Sequence, residues 1–376
     1  MSLPKVRSPR SALTLRYALI VALALSMPSL VSAYGPLGHQ IVGAVADQKL
    51  AGTVAGKKVG LLLGGTTLER ASTIADEIKA WDQNGAGDLT AYPHYPKTPW
   101  IEQQLREFWL ANAPGPQASD TAPSHHWMHY TDVPVFAPET YREGKIGRGN
   151  WDIVHAIPYC IGVLRGEITE KNPRKITKLV ALILLAHLVG DIHQPLHVGA
   201  EYFSEAGEPT DADHLPDALA DDGGNTLTLV ENATAERPRH YFHSFHSYWD
   251  SDTVRNLVIE TPDELPKEKR DAVYQPAREK LIAEFSRIEP AKWRTEGDAS
   301  KWAEKWADEI LPIAREAHAR LRFDHVHREE KDGRAFARGQ ALERETGYLD
   351  WSTGVVREEL HKAGWRLARL LEASLP

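Results

Sequence analysis

The stretch "LLAHLVGDIHQPLHVG", residues 184–199, sets the interpretation of the whole chain, because it places polar side chains within an aliphatic run. His187 and Asp191 are four residues apart, so they share one face if the run is helical. A carboxylate on an apolar helix is costly unless it is paired or bound to a cation. Two more imidazoles, His193 and His197, follow at once. The stretch therefore predicts a buried helix whose polar groups bind something.

On both sides of this stretch, apolar residues mostly repeat at three- and four-residue spacing, which predicts amphipathic helices. The clearest strand signal is the short "LTLVE" at 227–231, and no repeat or coiled-coil heptad is present. We therefore predict an all-α, single-domain fold with long loops and at most a short hairpin. The predicted helical segments are 41–50, 71–83, 150–168, 173–191, 351–373 and further helices within 262–345.

The first 33 residues have the pattern of a secretory signal, with basic residues, a short apolar run and a small-residue "VSA" ending. The apolar run is too short to span a bilayer comfortably, although a retained N-terminal anchor is the alternative. We predict a signal peptide at 1–33 and one domain at 34–376. The product is then exported to the periplasm or the medium, and cleavage makes Tyr34 the first residue.

Charge and cysteine content narrow the classes of function. Loss of the four basic residues in 1–33 changes the formal charge from −8 to −12. A protein this acidic does not bind duplex phosphates through a broad basic face, so an anionic substrate must be attracted locally. Cys160 is the only cysteine, so no internal disulfide forms, while the 17 histidines point to metal binding.

The His-x3-Asp spacing recurs at His246 and Asp250 in "HSYWD". Asp76 precedes Lys79 by about one helical turn, and "HHWMHYTDVP" at 125–134 holds three more histidines. Taken singly, these residues are more simply explained as hydrogen-bonded helical pairs, a solvated aspartate and a surface lysine. Their repetition favours a metal centre.

Seven motifs resemble those of the zinc-dependent nuclease and phospholipase C superfamily, and most closely its single-strand-preferring branch, the nuclease S-one/P-one family. They occur in the family's order from Tyr34 to near the C-terminus, and "HSYWD" and the central motif are the most specific. The motifs are "YGPLGH", "IADEIK", "WMHYTDVP", "AHLVGDIHQPLH", "DDGGNTL", "FHSYWD" and "AGWRLARLL".

The resemblance implies three zinc ions. Asp191 bridges two of them, which is why a carboxylate is tolerated in an apolar helix. The implied ligands are Asp76, His129, His187 and Asp191 for one zinc; His197, His246 and Asp250 for the second; and the amine and carbonyl of Tyr34, with His39 and Asp191, for the third.

The third site depends on cleavage, because Tyr34 offers an amine only as the first residue of the chain. The family usually begins with Trp, and this chain has Tyr. Since the contacts are made by backbone atoms, we expect the site to survive the change.

The resemblance also implies a reaction. The expected enzyme hydrolyses phosphodiesters of single-stranded DNA and RNA, and 3′-nucleotides, leaving 5′-phosphate products. In the family's scheme Asp76 orients the attacking water and Lys79 steadies the phosphoryl oxygens. Tyr130 and Asp132 match the residues that stack on and hydrogen-bond a base, although an ordinary core aromatic is the alternative for Tyr130. Asn225 matches a position near the metals, where a turn role is an equal alternative.

Other functions remain open on the sequence alone. A zinc phospholipase C is the runner-up, but that branch has Glu where this chain has Asp250, and no amphipathic membrane-binding stretch is evident. A zinc-binding protein without catalysis is the third hypothesis. We expect a monomer without stable membrane association. The intervals from Asp76 to His129 and from His197 to His246 exceed those of fungal members, which bears on substrate preference.

Overall fold

The apolar stretch forms helix α7, Lys178–Asp191, in which every residue after Lys178 is buried. Its first turn is capped by Thr177, whose side chain accepts a hydrogen bond from the amide of Val180. The computed structural model describes residues 34–84, 93–115, 118–232, 240–259, 267–331 and 333–375. Helix α7 packs against α1 (Gly35–Leu50), α6 (Ile153–Arg165) and α12 (Tyr348–Ser374). The predicted central helix is confirmed, and Asp191 is its last residue.

The described ranges are mostly helical, as predicted. The segments predicted at 41–50 and 351–373 lie within the longer helices α1 and α12, and the segment at 150–168 contains α6. The remaining helices are α2 (Val54–Leu62), α3 (Leu68–Ala71), α4 (Ile74–Glu77), α5 (Pro99–Ala111), α8 (Phe245–Ser247), α9 (Thr253–Val258), α10 (Lys267–Phe285) and α11 (Trp302–Ala319). Turns of 3-10 helix lie at Ile78–Asn84, His125–His129, Pro195–His197, Ala291–Trp293 and Ala299–Lys301, and a π-helical turn spans Tyr248–Asp252.

The helix predicted at 71–83 is not continuous. It divides into the end of α3, the short α4 and the 3-10 turn Ile78–Asn84. Between α3 and α4 the carbonyl of Ser72 accepts a hydrogen bond from His187 Nδ1 at 2.7 Å. The break thus gives a backbone oxygen to the central helix, a tertiary requirement that apolar periodicity does not reveal.

The prediction of at most a short hairpin, with helices throughout 262–345, is wrong for the last part of that segment. Strands β6 (Leu321–Lys331) and β7 (Arg334–Glu343) form a long antiparallel hairpin. Strand β7 also pairs in parallel with β5 (Leu227–Val230), the strand that the sequence did predict. The smaller pairs are β1 (Val133–Pro134) with β2 (Gly199–Ala200), and β3 (Tyr202–Phe203) with β4 (Leu219–Ala220).

The hairpin is stabilised by contacts that lie far away in the sequence. The ring of Phe323 packs edge-on against Phe203, with centroids 5.0 Å apart. Gly333 lies in the turn between the strands with φ +78°, a conformation that favours glycine. Many of the other side chains in the hairpin are charged and exposed. Because Glu, Lys and Arg are good helix formers, the local sequence favoured a helix where two strands form.

One large hydrophobic core runs through the helical part of the chain. Within the described ranges, no helix combines the length and apolar character needed to cross a membrane. The predicted signal peptide at 1–33 lies outside the described residues, so that prediction stands as made. The parallel pairing of β1 with β2 sets the segment after His129 beside the segment after His197.

Candidate metal centre

Asp191 lies at the C-terminal end of α7, where the helix dipole disfavours a negative charge. Its Oδ2 atom is 3.0 Å from His129 Nδ1 and 3.1 Å from His187 Nε2. Its Oδ1 atom is 3.2 Å from Nε2 of His39 on α1. The two oxygens of one buried carboxylate therefore face different imidazoles, as a bridging ligand would.

The structure brings together all eight predicted ligand side chains, in three groups whose nitrogen and oxygen atoms lie within 4.8 Å of one another. All eight are buried. We call this set the Asp191 centre. Its groups are His39, His187 and Asp191; Asp76, His129 and His187; and His197, His246 and Asp250.

Backbone carbonyls fix three of the imidazoles. The Nδ1 atom of His187 donates to Ser72, that of His197 to His129, and that of His246 to Gly223, each at 2.7 Å. Gly223 has φ +59°, and a Cβ atom there would lie 2.5 Å from the Leu196 carbonyl, so this turn requires glycine. With Nδ1 protonated, each neutral ring presents a lone pair at Nε2.

Two of these lone pairs face each other, because His246 Nε2 lies 3.0 Å from His197 Nε2. His187 Nε2 also lies 3.0 Å from His129 Nδ1. Two unprotonated nitrogens repel at this distance unless a positive charge lies beside them. In a tetrahedral zinc site, nitrogens about 2.1 Å from the metal are roughly 3.4 Å apart. The spacing is close to that value and fits a divalent cation.

Unsatisfied polar atoms point to the same conclusion. Within the described ranges, both ring nitrogens of His39 and Oδ1 of Asp191 are buried, and the 3.2 Å approach of His39 Nε2 to Oδ1 is the one polar contact among these three atoms. Gly190 permits the approach of His39, because a Cβ atom there would be 2.8 Å from the His39 Nδ1 atom. Buried groups left in this state cost about 1–3 kcal/mol each, a cost that a bound dication removes.

The pKa values in the Asp191 centre are shifted in both directions by burial and by the neighbouring charges. Burial opposes ionisation of Asp191, but attraction to His187 and hydrogen bonds from neighbouring imidazoles hold its pKa well below the usual value. Burial also lowers the pKa of His197 to about 4. The pKa of His246 is raised instead, because Asp250 outweighs the effect of burial. Protons and metal ions therefore compete for these rings.

Tyr34 lies at the same centre. Its backbone nitrogen donates to Asp250 Oδ1 at 3.2 Å, and its phenol donates to the carbonyl of His193 at 2.7 Å. The ring is completely buried. Tyr34 is thus fixed by its hydroxyl, and its backbone nitrogen faces Asp250, a ligand predicted for the second zinc.

Lys79 is buried and donates to Asp76 Oδ1 at 2.7 Å. Burial opposes ionisation of Asp76, but Lys79 and nearby imidazoles lower its pKa below the usual value. The surface-lysine alternative is therefore wrong. Asp76 Oδ1 lies 3.6 Å from His187 Nε2. The Lys79 ammonium, through its contact with Asp76, therefore lies at the edge of the Asp191 centre.

Three of the residues predicted to bind substrate differ in their exposure, charge and contacts. Tyr130 is partly exposed, and its ring makes no contact with another ring in the described ranges. Asp132 has its pKa raised to about 7 by burial and by the neighbouring carboxylates Asp222 and Asp221. Asn225 donates its side-chain amide to the carbonyl of Asp222 at 2.8 Å, so it serves the turn.

Sequence reasoning missed two residues beside these sites. Gln194 is fully buried and donates to Asp250 Oδ1 at 2.8 Å. Arg334, at the start of β7, donates to Asp222. The position of Gln194 between His193 and His197 could have indicated a residue that contacts the metal ligands. Nothing marked Arg334, since its hairpin was read as helix.

Three histidines that were not matched as ligands lie outside the Asp191 centre. His193 is buried, with Nδ1 donating to the Val189 carbonyl and Nε2 near Arg366. His125 and His126 instead meet Asp82, and these three residues, which we call the Asp82 cluster, form a further group of the same kind.

Comparison with known proteins agrees with this geometry. The family model described as S1/P1 Nuclease matches residues 34–376. Endonuclease 4 of Arabidopsis thaliana is 28% identical over 151 residues, covering 36% of this chain and 40% of that protein. Endonuclease 1 of the same plant is 25% identical over 151 residues, covering 40% of this chain and 39% of that protein. The chain thus aligns with about two fifths of the length of these relatives.

Proposed function

The chain belongs to the S1/P1 nuclease family, and on this basis we propose that it is an exported, zinc-dependent endonuclease and 3′-nucleotidase. It would cleave single-stranded DNA and RNA to 5′-phosphate products. The observation that carries the proposal is Asp191, whose Oδ2 faces His129 and His187 while Oδ1 faces His39. One carboxylate so placed is suited to join two cations.

Three zinc ions would be distributed among ligands that the structure already groups. Bound zinc would supply water of lowered pKa and positive charge for the phosphate. The holders would be Asp76, His129, His187 and Asp191 for the first ion; His197, His246 and Asp250 for the second; and Tyr34, His39 and Asp191 for the third.

Asp76 and Lys79 would act directly on the phosphodiester and the water. The ammonium of Lys79 has three N–H groups, so it keeps its contact with Asp76 while donating to a phosphoryl oxygen. The other oxygen of Asp76 would accept a hydrogen bond from the attacking water and orient it. Burial of both side chains strengthens these interactions, because water screens them little.

The preference for single strands would come from Tyr130 and Asp132. A partly exposed aromatic ring with no described ring partner is suited to stack on an unstacked base. A carboxylate two residues later would hydrogen-bond base N–H groups. Bases paired in a duplex present neither a free face nor free edges, so they are excluded.

Export is proposed because the third zinc needs a free amine at Tyr34. The family match begins at this residue, and its nitrogen already lies 3.2 Å from Asp250 Oδ1. A signal peptidase that cleaves after Ala33 would convert that nitrogen from an amide into an amine. Periplasm and medium are both consistent with this step.

The proposal is tested by comparing substrates on the mature protein. Release of nucleotides from denatured DNA, from RNA and from 3′-nucleotides should exceed release from duplex DNA, and EDTA should abolish it until zinc is restored. Turnover of phosphatidylcholine without turnover of nucleic acid would instead favour a phospholipase C. Bound zinc with no phosphodiester hydrolysis would reject an enzymatic role.

A further inference from the structure

The Asp82 cluster lies on two 3-10 turns, with Asp82 in Ile78–Asn84 and both histidines in His125–His129. Asp82 Oδ1 is 3.2 Å from His125 Nε2, and Asp82 Oδ2 is 2.7 Å from His126 Nε2. One carboxylate and two imidazoles therefore converge, each through an atom that can bind a metal. None of the three belongs to the Asp191 centre.

We propose that Asp82, His125 and His126 form a fourth, exchangeable site for a divalent transition-metal cation such as Zn²⁺. Two imidazoles and a carboxylate are a common ligand set for zinc, and three protein ligands leave a position for water. The His126 side chain is 42% exposed, which provides access from solvent. The site does not depend on the proposed nuclease reaction.

The ligands are held in place by their surroundings. Trp109 donates its indole N–H to Asp82 Oδ1, which fixes the plane of the carboxylate. The His125 ring is buried and contacts Phe108 edge-on at 6.4 Å between centroids. His126 packs against His125 with centroids 4.6 Å apart. The rings therefore have little freedom to turn away from Asp82.

The protonation states also suit a cation. Burial lowers the pKa of His125 to about 4, so this ring is neutral at pH 7. Burial opposes ionisation of Asp82, but hydrogen bonds from His125 and His126 outweigh it and hold the pKa of Asp82 below its usual value. A neutral imidazole and an anionic carboxylate are the forms that bind metal.

The site should bind more weakly than the Asp191 centre. His125 Nδ1 is buried, and no residue in the described ranges hydrogen-bonds to it. No carbonyl therefore fixes the tautomer, and Nε2 can present an N–H to Asp82 or a lone pair to a cation. Metal-ligating histidines whose second nitrogen is held bind about 10–100-fold more tightly. Exchange with solvent zinc is the expected behaviour.

The Asp82 cluster lies close in the sequence to two predicted ligands of the first zinc. Asp82 follows Asp76 by six residues, and His126 precedes His129 by three. A cation in the Asp82 cluster would cross-link the turn that directly follows α4, the helix of Asp76, to the turn that carries His129. Occupancy should therefore stabilise the surroundings of the first zinc.

The test is a calorimetric Zn²⁺ titration of the mature protein after its tight sites have been filled and free metal removed. We expect one further, weaker zinc per chain in the wild type, and a rise in Tm of about 5 °C when it is saturated. Asp82→Asn and His126→Ala should each lose this zinc while keeping the tightly bound zinc and the activity measured without added metal.

His94→Ala is the matched control. His94 is also 42% exposed and lies 3.0 Å from a carboxylate, that of Glu102, but it belongs to no three-residue cluster in the described ranges. This variant should retain the weaker zinc. A wild type with no further zinc, or a His126→Ala titration equal to wild type, would overturn the proposal and leave a hydrogen-bonded cluster only. Loss of the weaker zinc in His94→Ala would overturn it equally.

Discussion

The Asp191 centre and the Asp82 cluster use the same residue types but hold them differently. In the Asp191 centre, three imidazoles donate Nδ1 to backbone carbonyls, so their lone pairs converge. In the Asp82 cluster, His125 Nδ1 has no hydrogen-bond partner among the residues that the structure describes, and His126 is partly exposed. Proximity of His and Asp is therefore a weaker sign of tight metal binding than the hydrogen bond on the far side of each ring.

The largest difference between the two sites should appear when each loses its carboxylate. Asp191→Asn removes the charge that would join two cations, so we expect loss of at least one tight zinc and a fall in kcat on the order of a thousandfold. Asp82→Asn should leave both nearly unchanged. Zinc per chain by elemental analysis, together with hydrolysis of denatured DNA, measures this.

Asp47→Asn controls for the loss of an aspartate from a helical scaffold. Asp47 accepts hydrogen bonds from the amides of Leu68 and Glu69, each at 3.0 Å, and lies outside both sites. This variant should keep its zinc and its kcat. Equal zinc content in Asp191→Asn and wild type would remove the distinction between the centre and the cluster.

The second largest effect on zinc content and activity is expected when the N-terminus is extended before Tyr34. One extra residue before Tyr34 converts the proposed amine ligand into an amide, which does not bind zinc at neutral pH. We expect one zinc fewer per chain and a fall in activity of about a hundredfold. N-terminal sequencing of the same sample confirms the extension. Unchanged zinc content in the extended protein would contradict the amine site.

Gln194→Ala tests whether outer contacts set the quality of the Asp191 centre. Gln194 donates to Asp250 at 2.8 Å, so its loss should let Asp250 reorient and weaken zinc binding and activity by about tenfold. Gln103→Ala, an exposed glutamine on α5, is the matched control. A competition assay with a zinc chelator measures the affinity. Equal zinc affinity in both variants would show that this contact is dispensable.

The smallest effect concerns pH. Asp132 has a pKa of about 7, raised by burial and by Asp222 and Asp221. The carboxylate form, which is the form proposed to bind a base, therefore increases as pH rises through 7. Asp222→Asn removes a nearby negative charge, which lowers the pKa of Asp132 and moves this limb of the KM profile to lower pH. We expect KM at pH 6 to fall about threefold.

The exposed Asp350→Asn serves as the control for that profile, since Asp350 lies in the first turn of α12. Its KM profile should match that of the wild type. A profile for Asp222→Asn that coincides with the wild-type profile, or moves to higher pH, would refute the role given to Asp132.

The buried helix at the Asp191 centre could be predicted from the sequence, whereas the more exposed β6–β7 hairpin and the Asp82 cluster could not. Helix α7 was predictable because a long apolar run that ends in a carboxylate is stable mainly as a buried helix with a partner for its charge. The hairpin β6–β7 was not, because its charged residues suit a helix locally and its packing of Phe323 on Phe203 joins distant segments. The Asp82 cluster was missed for a related reason: Asp82 meets His125 only through tertiary structure.

Anomalous scattering at the zinc absorption edge, recorded from crystals of the mature protein, tests most directly whether Asp191 joins two cations. We predict one peak beside Asp191 Oδ1 near His39 and another beside Oδ2 near His129 and His187. Zinc at only one of these oxygens, or at neither, would contradict the bridging role of Asp191.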